Sequence, residues 1–406
     1  MISVFKSPKD GTSLFVSGET ELLLLPTFFS RALNQSGTVW IQLRDKDCNG
    51  FVRTRLIAQD ISATTEVFVI HRIKQFLNWL DEHGSKIMRD ALDMHPMLDQ
   101  SWLNHYIEEV LVCTHKVGEH SINQHLMALR YYYNYLFQAG LSNLKDIKLS
   151  RRSKATTREN TKKRSAIKYI SHELRNLLYR HTTCIRDELI LRTGAELGLR
   201  SRENLGFLIE DFWAGGKRYD GFKSLFKKMD ANPDEQTFYF WLQGKFTKQS
   251  RRSGGVGRWI HISRSLLRRI EKYFNDERPK SHEDTLFLNA SGPYLGIPIS
   301  HNHGTTIFRK IRCKILEYQT QEVLDKNGQK MHEDHTYHVL RHSFGTDLFF
   351  REAGGLEFVD AITTTHPVFL EVARRMGHSV SEKFGAKVTA SYIRSCHIKS
   401  SLENAS

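Results

Sequence analysis

Apolar residues recur at three- and four-residue steps from Ala63 onward. Val69, Ile73, Phe76, Leu77 and Leu80 mark one face of a helix, and Gly84 stands where such a helix would stop. Ile122, Leu126, Leu129, Tyr133 and Leu136 repeat the pattern and end at Gly140, with a third helix expected over 102–113. Residues 1–60 show another pattern: short strand-like pieces at 22–25 and 38–43, separated by polar turns such as 47–50. They carry no motif and read as a small extension packed on its neighbour or as an accessory DNA-contacting arm. After residue 168 the helical period returns. Ser171 is placed as an N-cap for a helix begun by Leu174, Leu177 and Leu178, and a buried helix is expected over 185–197. A polar, Gly-rich stretch fills 214–236, followed by β-rich pieces at 237–243 and 258–262 joined by a long turn over 244–257. A helix over 266–274, a short strand at 285–288 and a turn at Asp325-Lys-Asn-Gly328 lead to a last helical region. The fold class expected is mainly α with a small β-sheet (α+β).

At 406 residues the chain exceeds what one core usually holds, so two domains and an extension are expected: 1–60, then a helical domain over 61–150, a linker over 151–168 and a second domain over 169–406. Hydrophobic content of 40% is enough for packed cores, and the net charge of +14 implies a polyanionic partner. The longest apolar run, 22–29, is broken by Pro26 and is too short to span a bilayer, and the N-terminus lacks the pattern of a signal peptide. Five scattered cysteines without CxxC spacing read as reduced thiols, which fits a cytoplasmic protein, nucleoid-associated if bacterial. The linker concentrates cation: Arg151, Arg152, Lys162, Lys163 and Arg164 are candidate DNA-binding residues, solvated or strapped along a phosphate backbone. The run Arg130-Tyr-Tyr-Tyr-Asn-Tyr135 offers rings for base stacking, but its helical spacing reads first as core.

Near the C-terminal end come His338-Val-Leu-Arg341-His342, then Gly377-His378, then Thr389-Ala-Ser-Tyr392. His338 and Arg341 at i and i+3 share one side of a helix. Arginine grips phosphate oxygens with a planar fork, histidine moves or holds a proton near neutral pH, and tyrosine can be a nucleophile. Upstream stand Gly198-Leu-Arg200-Ser-Arg-Glu203 and Gly244-Lys245. In this order and spacing the boxes resemble those of the tyrosine recombinases, the phage integrase family: GLRxxE, a lysine hairpin, HxxR, GH and a tyrosine.

The resemblance implies a helical core-binding domain and a catalytic domain forming a C-shaped clamp on duplex DNA. It implies that Arg200 and Arg341 stabilise charge on the phosphate, that Glu203 orients them, and that His338 accepts or holds the tyrosine proton. His378 would hydrogen-bond the phosphate or the nucleophile, and Lys245 would protonate the leaving 5′ oxygen, with Lys248 in reserve. Tyr392 would attack, giving a 3′-phosphotyrosyl bond that keeps the energy of the cleaved linkage, so no cofactor is expected. A metal site at His338 and His342 is disfavoured, because Val339 stands where HExxH has its glutamate and Arg341 would repel a cation. Four protomers would act on two double-stranded recombination sites through a Holliday junction, with DNA-bending accessory proteins as possible partners. Two rivals stay open: a type IB topoisomerase-like relaxase, and a recombinase-derived DNA-binding regulator that does not cut.

Overall fold

The computed structural model describes residues 1–406 except 19–20, 47–51, 87–89, 162–167, 248–254, 321–328, 379–381 and 404–406. For residues 46, 320, 382–387, 389 and 403 it describes the backbone alone. The chain divides into two compact units, Met1–Lys163 and Arg164–Ser406.

In the first unit, strands β1 (Ile2–Lys6), β2 (Ser13–Ser17) and β3 (Glu21–Leu22) form an antiparallel sheet in chain order. Helix α1 (Leu24–Ser36) leads to a ribbon of β4 (Thr38–Lys46) and β5 (Val52–Asp60), registered with Thr38 opposite Asp60 and Lys46 opposite Val52. Then come α2 (Ala63–His83), α3 (Gln100–His105) continued by a π-helical stretch over Tyr106–Thr114, α4 (Glu119–Gln138) and α5 (Arg151–Asn160). Ser62 caps α2 by accepting from the Thr65 N–H at 3.2 Å, and the helix ends at the expected glycine.

Three local expectations are revised here. Residues 24–36 are helical rather than strand-like. Pro26 lies in the first turn, where its missing N–H breaks no bond, and Phe29 and Leu33 pack inward. Residues 1–60 are not a separate layer: Ile2, Phe15, Phe29 and Val39 share one core with Phe76, Leu129 and Tyr132. The stretch 151–160, expected as linker, is helical, with Ser153 and Thr157 buried one turn apart and Ser150 as its cap. Tyr131, Tyr132 and Tyr133 are core, as their spacing implies; Tyr132 meets Phe29 edge-on at 5.2 Å. The turn at 47–50 and the cations Lys162, Lys163 and Arg164 lie outside the described residues.

The second unit runs through α6 (His172–Arg180), α7 (Ile185–Glu196), the hairpin β6 (Phe212–Ala214) and β7 (Lys217–Tyr219), α8 (Phe222–Ala231), and the hairpin β8 (Thr237–Leu242) and β9 (Arg258–Ser263). It continues with α9 (Arg264–Asp276), α10 (His303–Thr320), α11 (His338–Ala353), α12 (Leu356–Val359), α13 (Pro367–Met376) and α14 (Glu382–Glu403). Ser171 caps α6 as expected, accepting from the Leu174 N–H at 3.3 Å. Helix α8 falls inside the stretch expected to be irregular. Phe222, Leu225, Phe226 and Met229 form a buried stripe, each worth about 1.5–3 kcal/mol when removed from water. The turn at 325–328 lies outside the described residues.

Two apolar clusters position the chemistry of this unit. The larger joins Leu189, Phe207, Phe240, Ile260, Leu267 and Leu340; the smaller joins Phe349, Phe369, Val372, Met376 and Tyr392 across α11, α13 and α14. No helix among the described residues is long and apolar enough to cross a membrane.

Candidate active site

The site grows from the end of α7. Gly198 has φ +65°, and a Cβ there would run into the Phe344 ring, so the position combines a left-handed turn with a close approach. That turn aims Arg200 into a 3-10 stretch over Ser201–Gly206, where the Arg200 N–H donates to Glu203 Oε2 at 2.9 Å. The Arg200 guanidinium returns to Glu203 Oε1 at 2.8 Å. Asn204, the next residue, ties this stretch to α7 and to the start of α11: Thr193 Oγ1 donates to its Oδ1 at 2.6 Å, and its Nδ2 donates to the Tyr337 hydroxyl at 3.4 Å.

Glu203 is only 1% exposed and collects two more arginines. Arg258, at the start of β9, donates from both terminal nitrogens to both carboxylate oxygens, at 3.1 and 2.7 Å. Arg341 on α11 brings Nη1 within 3.6 Å of Oε2 and donates to the carbonyls of Gly198 and Met376. Burial pushes the Glu203 carboxyl upward, but Arg258, Arg341 and Arg200 together hold it down at about 2. Arg341 is fully buried, and burial reinforced by Arg200 lowers it to about 9 although Glu203 pulls the other way. The Nε atoms of Arg258 and Arg341 have no hydrogen-bond partner among the described residues. Three cations around one carboxylate leave an excess of positive charge in a nearly dry pocket. Such a pocket suits an oxyanion.

His378 and Tyr392 face that charge. Gly377 ends α13 at φ +61°, and a Cβ on it would lie 3.0 Å from Arg258 Nη1; one residue on, the His378 N–H donates to the Ala373 carbonyl at 2.9 Å. Burial, then Arg341 and Arg200, depress the His378 imidazole to about 3, so it is neutral near pH 7. Tyr392 lies in the middle of α14, not near its start as expected, and is 2% exposed. Its ring packs on Phe349 at 5.7 Å, and its hydroxyl lies over Gly345, where a Cβ would come within 2.7 Å. Burial raises the phenol to about 12, while Arg341 and Arg200 draw it downward.

The structure thus brings Arg200, Glu203, Arg341, His378 and Tyr392 together. His338 and Arg341 differ in depth: Arg341 is buried, while His338 opens α11 at the surface with its ring edge-on to His342 at 4.7 Å. His342 is depressed to about 4 by burial, with His338, Lys168 and Arg341 adding to it. Lys245 is exposed on a short 3-10 turn after β8, its Nζ 5.0 Å from the Phe246 ring centroid. Phe246 packs over Gly206, where a Cβ would come within 2.9 Å, so the lysine turn is seated on the Arg200–Glu203 stretch. The reserve lysine, Lys248, lies outside the described residues. Arg151 and Arg152 are exposed on α5 of the first unit.

Arg258 is the residue that sequence reasoning missed. Its signal was phase: Arg258, Ile260 and Ile262 alternate on one strand, which puts the arginine on the buried side. Among the described residues no group of three or more His, Cys, Asp or Glu is placed to hold a metal ion.

Neither a family model nor a curated protein matches the sequence. Solved structures do match. The integrase of transposon Tn1549 in complex with transposon right-end DNA aligns over 90% of this chain and 94% of that one, with a TM-score of 0.52 at 11% identity. The same integrase with circular intermediate DNA gives a TM-score of 0.50 over the same shares, also at 11% identity. The XerH site-specific recombinase bound to its difH substrate aligns over 80% of this chain and 76% of that one, at 14% identity and a TM-score of 0.49. At such identities the likeness is one of fold.

Proposed function

We propose that this chain, which has the fold of the tyrosine recombinases, cuts and rejoins duplex DNA at specific sites through a covalent intermediate on Tyr392. The observation that carries the reading is the convergence of Arg200, Arg258 and Arg341 on Glu203, with Tyr392 and His378 inside their field. A scissile phosphate bound there meets three guanidiniums held in place by one buried carboxylate. As the Tyr392 oxygen attacks, negative charge grows on the non-bridging oxygens, and donors already aimed at them need no reorganisation. Neutral His378 donates one hydrogen bond without repelling the cations. The phenol must shed its proton, which the arginine field favours and burial opposes; His338 takes that proton. The phosphorus–O5′ bond breaks, Lys245 protonates the leaving oxygen, and DNA is left joined through its 3′ phosphate to Tyr392. A 5′ hydroxyl attacking in reverse reseals the strand and frees the tyrosine. The linkage is conserved, so the step draws on no nucleotide.

The first unit, with the cations of α5 and the segment that follows, is assigned to gripping the duplex. Four protomers on two sites, passing through a Holliday junction, complete the reading. Accessory DNA-bending proteins are compatible with it.

The test is a nicked duplex that loses its short 5′-hydroxyl fragment after cleavage. Wild type is expected to accumulate a 3′-linked complex that survives boiling in detergent and needs no magnesium or nucleotide. Tyr392→Phe should form none while folding normally, a change that keeps the ring and costs less than about 1.5 kcal/mol. The peptide bearing the nucleotide should contain Tyr392 rather than Tyr337 or Tyr318. Failure of wild type to form any adduct on DNA flanking its own gene would replace the reading with a non-cleaving DNA-binding protein. Relaxation of supercoils by the monomer without junction products would make it a relaxase.

A further inference from the structure

The β8–β9 hairpin has two different faces. Inward it sends Phe238, Phe240, Leu242, Ile260 and Ile262 into the core. Outward it sends Tyr239, Trp241, Trp259 and His261, which form cross-strand pairs in the ladder: Tyr239 opposite His261 and Trp241 opposite Trp259. Tyr219 of β7 lies flat against Trp241, with centroids 5.1 Å apart and planes 13° from parallel, and meets Trp259 edge-on at 5.6 Å. Trp241 and Trp259 meet edge-on at 5.2 Å, as do Tyr239 and His261 at 4.9 Å. The Trp241 indole rests on the backbone at Gly257, where a Cβ would lie 2.7 Å from its ring. These rings are therefore held, yet Tyr239 is 50% and Trp259 40% exposed. Cross-strand aromatic pairs do support a two-stranded ribbon. Support alone does not require that the outermost rings stay open to water when the inner face already anchors the hairpin to the core.

We infer that this outward face is a stacking platform for unpaired DNA bases. The inference rests on the reading of the preceding section, since strand exchange must pass through bases that have left one partner and not yet met the next. Rigid rings accept any base through its flat face, and cations nearby hold the connecting phosphates. The surroundings supply those cations: Arg375, Arg374 and Arg351 act on His261 against Glu371 alone, and Lys217 and Arg218 are exposed on the neighbouring β7. Adjacent strand residues point to opposite faces, so Arg258 and Trp259 hold a buried phosphate-binding cation and an open ring on α-carbons about 3.8 Å apart. Lys245 follows three residues after the last outward ring of β8 and a single turn later on the same hairpin. Platform and pocket thus share one rigid element. A protein partner would also value exposed tryptophan and tyrosine. The excess of cations around the rings favours the nucleic acid.

The experiment uses the full chain carrying Tyr392→Phe and three labelled probes: an eight-nucleotide thymidine strand, an abasic strand of equal length, and a mixed-sequence duplex. The thymidine strand should bind at least about tenfold more tightly than the abasic one. Trp259→Ala and Tyr239→Ala should each weaken the thymidine strand by roughly 5- to 150-fold, the worth of one stacked base, and leave the duplex unchanged. Trp259→Phe should retain most of the affinity, and thermal unfolding reports whether the alanine variants remain folded. Equal affinity for thymidine and abasic strands, or an equal loss on all three probes, would overturn the inference and leave a face that acts by charge. Lost self-association of the variants with unchanged thymidine binding would overturn it too and give the face to a second copy. Adduct formation by wild type is read separately. If the adduct forms and the stacking effect is missing, only this inference falls; if the effect holds without any adduct, the recombinase reading falls and the platform stands.

Discussion

Arg258 grips Glu203 through both terminal nitrogens, at 3.1 and 2.7 Å, and both side chains are almost entirely withdrawn from water. A fork matched to a carboxylate fixes the plane of both groups. It also fixes the plane in which the remaining oxygen-facing donors of Arg200 and Arg341 must lie. The pair makes a strand residue part of a pocket otherwise built by α11 and the end of α7.

Arg258→Lys is therefore expected to lower the single-turnover rate of adduct formation by roughly 10²- to 10³-fold, the usual loss for one preorganised donor. Duplex affinity should change little, because the charge is kept and only the two-pronged geometry is lost. A near-normal rate would reduce Arg258 to a counter-charge for Glu203.

Glu203→Gln removes the one anion that three guanidiniums share. Breaking a buried ion pair in this way costs about 3–5 kcal/mol, measured as a shift in urea unfolding near pH 7. The pH dependence has a definite sign. The Glu203 carboxyl is held at about 2, below its ordinary 4.5, so its contribution is complete above pH 4.5 and lost as pH falls through about 2. The gap between wild type and variant should narrow over that window. A gap independent of pH would show that lost packing, not charge, causes the effect.

Lys245→Ala should cleave slowly on ordinary DNA and recover on DNA whose bridging 5′ oxygen is sulfur, because a thiolate leaves without an acid. Rescue confined to Lys248→Ala would move the proton donor three residues along the turn.

Arg151→Ala with Arg152→Ala tests the cations of α5. Each phosphate deprived of its arginine should reduce the slope of log affinity against log salt by about 0.9 on duplex DNA. An unchanged slope would leave these arginines as solvated side chains.

Much of the pocket was readable in the sequence because its parts are local. Arg341 with His338, Gly377 with His378, and Arg200 with Glu203 each sit within one turn, where spacing alone reports on proximity. Arg258 was not readable in that way, since its partner lies 55 residues away and only strand phase hinted at its side. Helix α8 was hidden by Gly215, Gly216 and a crowd of lysines, although Phe222, Leu225, Phe226 and Met229 keep helical spacing. In α1 the misleading residue was Pro26, harmless in a first turn. What decided for helix was distant packing, Phe29 against Tyr132, which no local window contains.

The shared core of the first unit changes how the chain can be taken apart. Ile2, Phe15 and Phe29 fill the same interior as Phe76 and Tyr132. A fragment starting at residue 61 would not be a trimmed, portable DNA-gripping module. It would open the greasy flanks of α2 and α4 to water and clump during purification. Any swap of recognition between this protein and another of its fold should therefore exchange everything from the first residue through α5 as one cassette.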